Sequence, residues 1–111
     1  MDCLFCKISS KEIPAKLVHE DRECVAFHDI HPQAPTHLLI IPRKHIAKLS
    51  ETTEEDKILS GHLLSVVRDI ASKNNLQDFR IVINNGSGAG QTVWHLHLHL
   101  LAGRTLTWPP G

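Results

Sequence analysis

The stretch Trp94-His95-Leu96-His97-Leu98-His99-Leu100-Leu101 alternates three histidines with leucines. In a β-strand successive side chains point to opposite faces. The spacing therefore predicts a strand over residues 93–101, with His95, His97 and His99 on one face and Leu96, Leu98 and Leu100 on the other. The leucines anchor such a strand in a core and leave the imidazoles to line a site. Imidazole titrates near neutral pH and serves as nucleophile, proton shuttle or metal ligand. Three of them about 7 Å apart on a packed strand are costly to bury without a use. A chance cluster on a solvated face leaves the alternating leucines unexplained.

Just upstream lies Gly86-Ser87-Gly88-Ala89-Gly90-Gln91-Thr92. Glycines let backbone N–H groups turn toward a ligand, and such concave nests hold phosphate oxygens. No Gly-Lys-Ser/Thr and no helix follows, so this is neither a phosphate-binding Walker loop nor a dinucleotide fingerprint. By itself the segment reads more readily as a flexible hairpin connection. Placed directly before the histidines, it is the natural holder of an anion at the same site.

The other elements follow from periodicity. A short helix is expected over residues 4–10, a hairpin over 16–19 and 23–28, and a strand over 36–41 stopped by Pro42. Residues 54–73 predict the long helix, with Thr52 and Glu55 as a capping box and Leu59, Leu63, Val66 and Ile70 as one apolar stripe. Phe79 to Asn84 reads as a strand. The order α-β-β-β-α-β-β does not alternate, so an α+β fold with a five-stranded antiparallel sheet and two helices is expected. Cys24 falls in a strand and reads as core, while His19, His28 and His62 read as solvated.

A chain of 111 residues is expected to form one domain over 1–111. Twelve Lys and Arg balance twelve Asp and Glu, which argues against a nucleic-acid partner held by a general basic field. Three cysteines do not make a disulfide framework. Residues 1–7 show no signal-peptide pattern, and no apolar stretch has membrane-spanning length. A cytoplasmic protein with no membrane partner is the expectation.

The triad after a Gly-Gln-Thr loop resembles the histidine-triad family of nucleotide hydrolases and transferases, in particular its Hint-type branch. Further motifs carry the resemblance in the same order: Lys11-Glu12-Ile13-Pro14-Ala15-Lys16, Ala26-Phe27-His28-Asp29-Ile30, Pro32-Gln33-Ala34-Pro35-Thr36-His37 and Trp108-Pro109-Pro110-Gly111. The resemblance implies a purine nucleoside phosphoramidase that needs no cofactor for catalysis. In it His97 attacks the α-phosphorus of an AMP or GMP derivative and forms a nucleotidyl-histidine. His99 acts as a donor beside the phosphate, His37 orients and shuttles protons, and Thr92 meets the leaving group, where most Hint-type proteins carry serine. Asn84, Gly90, Gln91 and Thr92 would hold ribose and phosphate, Asp29 the ribose hydroxyls, and Ile30 the base. Outside the resemblance, Asp29 reads as a turn cap and Ile30 as core. The resemblance also implies a homodimer that joins two sheets into a ten-stranded one.

Cys3-Leu4-Phe5-Cys6 reads as two buried apolar cysteines, a redox pair or half of a zinc site. Superfamily members with an N-terminal C-x-x-C bind zinc through both cysteines, a central histidine and the first triad histidine. The resemblance thus implies a structural Zn²⁺ on Cys3, Cys6, His45 and His95. Two other classes compete with the leading function: a zinc-dependent hydrolase using the three triad histidines, and a nucleotide-binding scaffold with vestigial catalysis.

Overall fold

The apolar run Thr36–Pro42 becomes the middle strand of the sheet, and every residue of it from His37 onward is buried. The computed structural model describes residues 2–111. Its strands are β1 (Leu17–Glu20), β2 (Cys24–His28), β3 (Thr36–Pro42), β4 (Phe79–Val82) and β5 (Leu98–Ala102), with helices α1 (Leu4–Ser9) and α2 (Lys57–Lys73). The strands form one sheet in the order β1-β2-β3-β5-β4, every pair antiparallel. The expected α+β architecture is therefore the one observed.

Strand alternation divides the core in two. Leu38 and Ile40 of β3 join Leu98 and Leu100 of β5, and α2 covers them with Leu63, Val66, Val67 and Ile70. On the opposite face Leu39 and Ile41 of β3 join Val25 and Phe27 of β2 under Cys3, Phe5 and Ile8 of the α1 segment. The stripe read from the sequence is thus the buried face of α2, with Leu59 at its margin.

The histidine strand is shorter than expected. Only Leu98–Ala102 pairs with β3, and His95 and His97 lie in the irregular segment before it. Ile40 opposes Leu98, so continuing the register would set Leu96 against Pro42, which has no N–H to give. Leu96 is instead held by its N–H, which donates to the carbonyl of Ile46 at 2.6 Å. The alternation survives the loss of pairing: Leu96 joins the core under α2, and His95 and His97 face Phe5 of α1.

Smaller differences have local causes. The helical start falls at Thr53 rather than Thr52, through a reciprocal cap between Thr53 and Asp56. Residues 54–56 form a 3₁₀ turn before α2, and Lys44 donates to the buried Asp56 carboxylate at 2.6 Å. β4 ends at Val82, so Asn84 lies in the loop. His19 and His62 are not simply solvated: both donate from Nε2 to Asp21 Oδ2, at 2.7 and 2.8 Å. Burial opposes ionisation of Asp21. These two bonds, with the N–H groups of Glu23 and Cys24, outweigh it and hold the carboxyl well below its usual range. The hairpin tip is thereby stapled to α2. His28 is exposed and Cys24 fully buried, as expected.

Candidate active site

The triad histidines and His37 sit on the α1 side of the sheet. His99 opposes Leu39 and His37 opposes Leu101, so the two histidines are diagonal neighbours on one face. His37 Nε2 lies 2.9 Å from His99 Nδ1, and the rings of His97 and His99 are 4.9 Å apart between centroids. Phe5 stands edge-on to His97 at 5.2 Å and to His95 at 6.0 Å. One aromatic ring from α1 therefore fixes both imidazoles from below.

Backbone partners settle the proton positions. A carbonyl only accepts and an N–H only donates. His97 Nδ1 lies 2.7 Å from the carbonyl of His95, so Nδ1 carries the proton and Nε2 is left with a free lone pair. Gln33 donates its backbone N–H to His37 Nδ1 at 3.0 Å, so neutral His37 carries its proton on Nε2. That proton goes to His99 Nδ1, and neutral His99 in turn carries its own on Nε2. The neutral state is the favoured one. Burial lowers the His37 pKa against the nearby Asp29. Burial, with His97 and His37 alongside, lowers that of His99 to about 4. The result is one bare nucleophilic nitrogen beside one aligned N–H donor.

Asp29 Oδ2 lies 3.4 Å from His37 Nε2, and its Oδ1 accepts the N–H of His31 at 2.8 Å. The turn-capping role thus uses one oxygen and leaves the other at the site. Ile30 is 86% exposed, which overturns the reading of it as core. Gly86 and Gly90 adopt positive φ, as a tight loop around the 3₁₀ turn Ser87–Ala89 requires, and Gly90 lies against the Asn84 side chain. Gln91 is 3% exposed. Its Oε1 accepts from Gly86 N–H, and its Nε2 donates to the carbonyls of Ala47 and Val93. The Gln91 side chain therefore braces the loop, as does its backbone N–H, which donates to the carbonyl of Gly86 at 3.1 Å. Thr92 is exposed at the end of the same loop.

A second cluster adjoins the first. One donor atom each of Cys3, Cys6, His45 and His95 lie within 4.8 Å of one another. The separations are 3.3 Å for Cys3 Sγ to His95 Nδ1, 3.4 Å for Cys6 Sγ to His45 Nδ1, 3.6 Å for Cys6 Sγ to His95 Nδ1 and 3.2 Å between the two Nδ1 atoms. Tetrahedral zinc with ordinary bond lengths sets nitrogens about 3.3 Å apart and sulfur about 3.6 Å from nitrogen. His95 Nε2 donates to the carbonyl of Pro42 at 2.7 Å, so its Nδ1 lone pair points into the cluster. Such an outer hydrogen bond is what orients a ligating histidine. The donor set and its spacing fit the ion.

Four contributors give no side-chain signal in the sequence. Phe5 lies inside Cys3-Leu4-Phe5-Cys6, where only the cysteines draw a reading. The carbonyls of Pro42 and His95 and the N–H of Gln33 act through the backbone, which composition does not reveal. His31 is exposed beside Ile30.

Comparison with known proteins agrees with this geometry. A HIT domain matches residues 10–106. The chain is 53% identical to an uncharacterized HIT-like protein of Synechocystis, over 99% of this chain and 97% of that one. An uncharacterized HIT-like protein of Synechococcus elongatus is 54% identical over the same shares. Among solved structures, a HIT family hydrolase from Legionella pneumophila superposes with a TM-score of 0.97 at 52% identity, covering 99% of this chain and 100% of that one. A histidine triad protein from Clostridium difficile gives 0.93 at 41% identity, covering 96% and 95%. With its histidines placed as they are and this domain matched across most of its length, the chain belongs to the HIT family.

The low His99 pKa has a stability consequence with a definite sign. The unfolded histidine takes up its proton near pH 6.5, whereas the folded one resists until about pH 4. The stability this neutral state contributes is present above about pH 6.5 and is lost as pH falls toward 4. Urea denaturation across that window should show wild type losing on the order of 2 kcal/mol more than His99→Asn. Equal losses would mean that His99 is not buried neutral.

Proposed function

We propose that this chain is a hydrolase of purine nucleoside 5′-phosphoramidates or of acyl- and aminoacyl-adenylates, acting through a covalent nucleotidyl-histidine. The observation that carries the reading is the His97 tautomer. Its Nδ1 proton is held by the His95 carbonyl, and Nε2 is bare beside the His99 donor. A neutral imidazole is a competent nucleophile at pH 7 without a stronger base. In the first step the Nε2 lone pair bonds to the α-phosphorus and the phosphorus–nitrogen bond to the amine breaks. The amine departs with a proton that the Thr92 hydroxyl relays from solvent water. In the second step water adds to phosphorus, its proton leaves by the same hydroxyl, and the bond to His97 breaks. His99 donates to the phosphate oxygens throughout, held in line by His37. Thr92 at the end of the glycine loop and Asn84 would bind phosphate and ribose, and Asp29 Oδ2 the ribose hydroxyls. Exposed Ile30 offers an apolar surface to either purine, AMP or GMP derivative alike. The extra methyl of Thr92 narrows the space for the leaving group relative to serine.

The alternative of a zinc hydrolase built on the triad requires the three imidazoles to converge on one ion. His95 instead turns one nitrogen to the thiols and the other to Pro42. A scaffold with vestigial catalysis is separated by turnover. His97→Ala should lower hydrolysis of adenosine 5′-phosphoramidate by about 10⁴-fold or more with AMP affinity little changed. Mass spectrometry of His99→Ala with substrate should trap an adduct of nucleoside monophosphate mass. Activity within tenfold of wild type in His97→Ala would end the reading.

We also propose that Cys3, Cys6, His45 and His95 hold one structural Zn²⁺. Bound there, the ion would supply a cross-link between α1 and the segment before β5 and no part of the reaction. Protein purified without chelator should carry about one zinc per chain. Cys6→Ser should remove it and lower the melting temperature while the rate per folded molecule stays nearly unchanged. Absence of zinc from fresh protein with both thiols reactive would return Cys3 and Cys6 to apolar packing.

A homodimer is the third part of the proposal. β4 is a free sheet edge. Phe79 on it and Ile58 and Leu64 on α2 are exposed. A groove of roughly 760 Å³ runs beside the edge between Phe79, Arg80 and the segment from Ala102 to Leu106. Trp108 of the C-terminal segment lies over Arg80, 80% exposed. Pairing of two β4 edges would give ten strands and cover this surface. Light scattering at micromolar concentration should give twice the 12.4 kDa of one chain, and a monomer mass would count against it.

A further inference from the structure

The turn between Asp29 and His37 holds the base of the histidine relay, and a distant part of the chain grips it. Gly103, just past β5, has a φ of +98°, and a Cβ built there would stand 2.8 Å from Cβ of Pro35. A glycine is therefore required both for the conformation and for the close approach. The next residue, Arg104, donates from Nε to the carbonyl of Gln33 at 3.0 Å and from Nη1 to the carbonyl of Thr105 at 3.1 Å. Gln33 is the residue whose N–H holds His37 Nδ1. Its side chain closes the turn by donating to the carbonyl of His31 at 3.1 Å.

We propose that the Gly103-Arg104 corner is a positioning clamp that sets the tautomer of His37 and, through it, the proton that His99 presents at Nε2. This rests on the hydrolase reading for its kinetic consequence, although not for its structural one. With Gln33 N–H in place, His37 Nδ1 is an acceptor and the relay has one direction. Once the turn moves away, only Asp29 Oδ2, 3.4 Å from His37 Nε2, still favours that tautomer, and the bond that fixed Nδ1 as an acceptor is lost. His37 with its proton on Nδ1 makes Nε2 an acceptor, and His99 keeps the mutual bond only by moving its own proton to Nδ1. His99 Nε2 then faces the substrate phosphate with a lone pair in place of an N–H. Arg104 and Gly103 touch no substrate in this scheme, and they act by holding the turn.

The test uses Arg104→Ala, Arg104→Lys and Gly103→Ala in the full chain, with melting temperature as the measure of folding. Imidazole ¹⁵N shifts, assigned to His37 with a His37→Asn reference, read the tautomer directly. In Arg104→Ala the His37 Nδ1 resonance should move from the bare-nitrogen position toward the protonated or averaged one. Hydrolysis should fall between about tenfold and a hundredfold, mainly in kcat. Arg104→Lys retains one donor and should restore both. Gly103→Ala should reproduce the Arg104→Ala shifts, and if it does not fold, Arg104→Ala decides alone. A folded Arg104→Ala chain with His37 Nδ1 still bare would overturn the clamp. Failure of wild type to hydrolyse any phosphoramidate or acyl- or aminoacyl-adenylate would instead end the hydrolase reading, and the nitrogen shifts would still judge the clamp.

Discussion

His95 gives its Nε2 proton to the carbonyl of Pro42, and its own carbonyl takes the Nδ1 proton of His97, each over 2.7 Å. These two bonds assign opposite nitrogens of two neighbouring rings. His95 is left with Nδ1 bare toward the thiols, and His97 with Nε2 bare. One residue thus belongs to the metal-type cluster by its side chain and to the His97 site by its backbone. The proline that ends β3 makes this possible. With no N–H to continue the ladder, the segment before β5 runs free of β3, and its imidazole meets a carbonyl.

The two faces of the sheet divide the work. The α2 face is apolar throughout, from Cys24 and Ala26 to Leu100. The α1 face begins as a core under Phe5 and Phe27, with ring centroids 5.5 Å apart, and grades into the histidine cluster. Burial on this side favours neutral His37, His95 and His99, each by removing water from the charged form. These three imidazoles are kept uncharged by the same packing that stabilises the sheet. Cys24, on the other face, shows the same effect on a thiol: burial, with the Asp21 carboxylate 3.4 Å from its sulfur, pushes it up to about 12.

Much of this is legible in the amino-acid sequence. The α2 stripe of Leu63, Val66 and Ile70 follows from helical spacing, and the leucines of the triad segment do face α2. The histidines do share the other side. Period two marks the side of the sheet but not the length of the strand, because a register against Pro42 is a tertiary fact. The same limit moves the helix cap from Thr52 to Thr53, where buried Asp56 and Lys44 decide. His19 and His62 are 43 positions apart in the chain, and no local pattern announces that both close on Asp21. Gln33, Pro42 and the His95 carbonyl contribute main-chain atoms, which any side chain would supply equally well. The Gln91 side chain reads as a ligand group in its motif, yet it is consumed in holding the loop together.

The two edges of the sheet are unlike. β4 ends the sheet as a regular partner of β5, whereas β1 at the other edge breaks register between Leu17 and His19. A bulged strand twists away from a flat template and resists adding another. A sheet with two straight edges can recruit copies of itself at both ends, and growth of that kind has no natural stop. With one edge regular and the other spoiled, any association through strands ends after a single step. Were two copies to pair through β4, the irregularity at Leu17 would set a limit on assembly size, the difference between a closed pair and an open fibre.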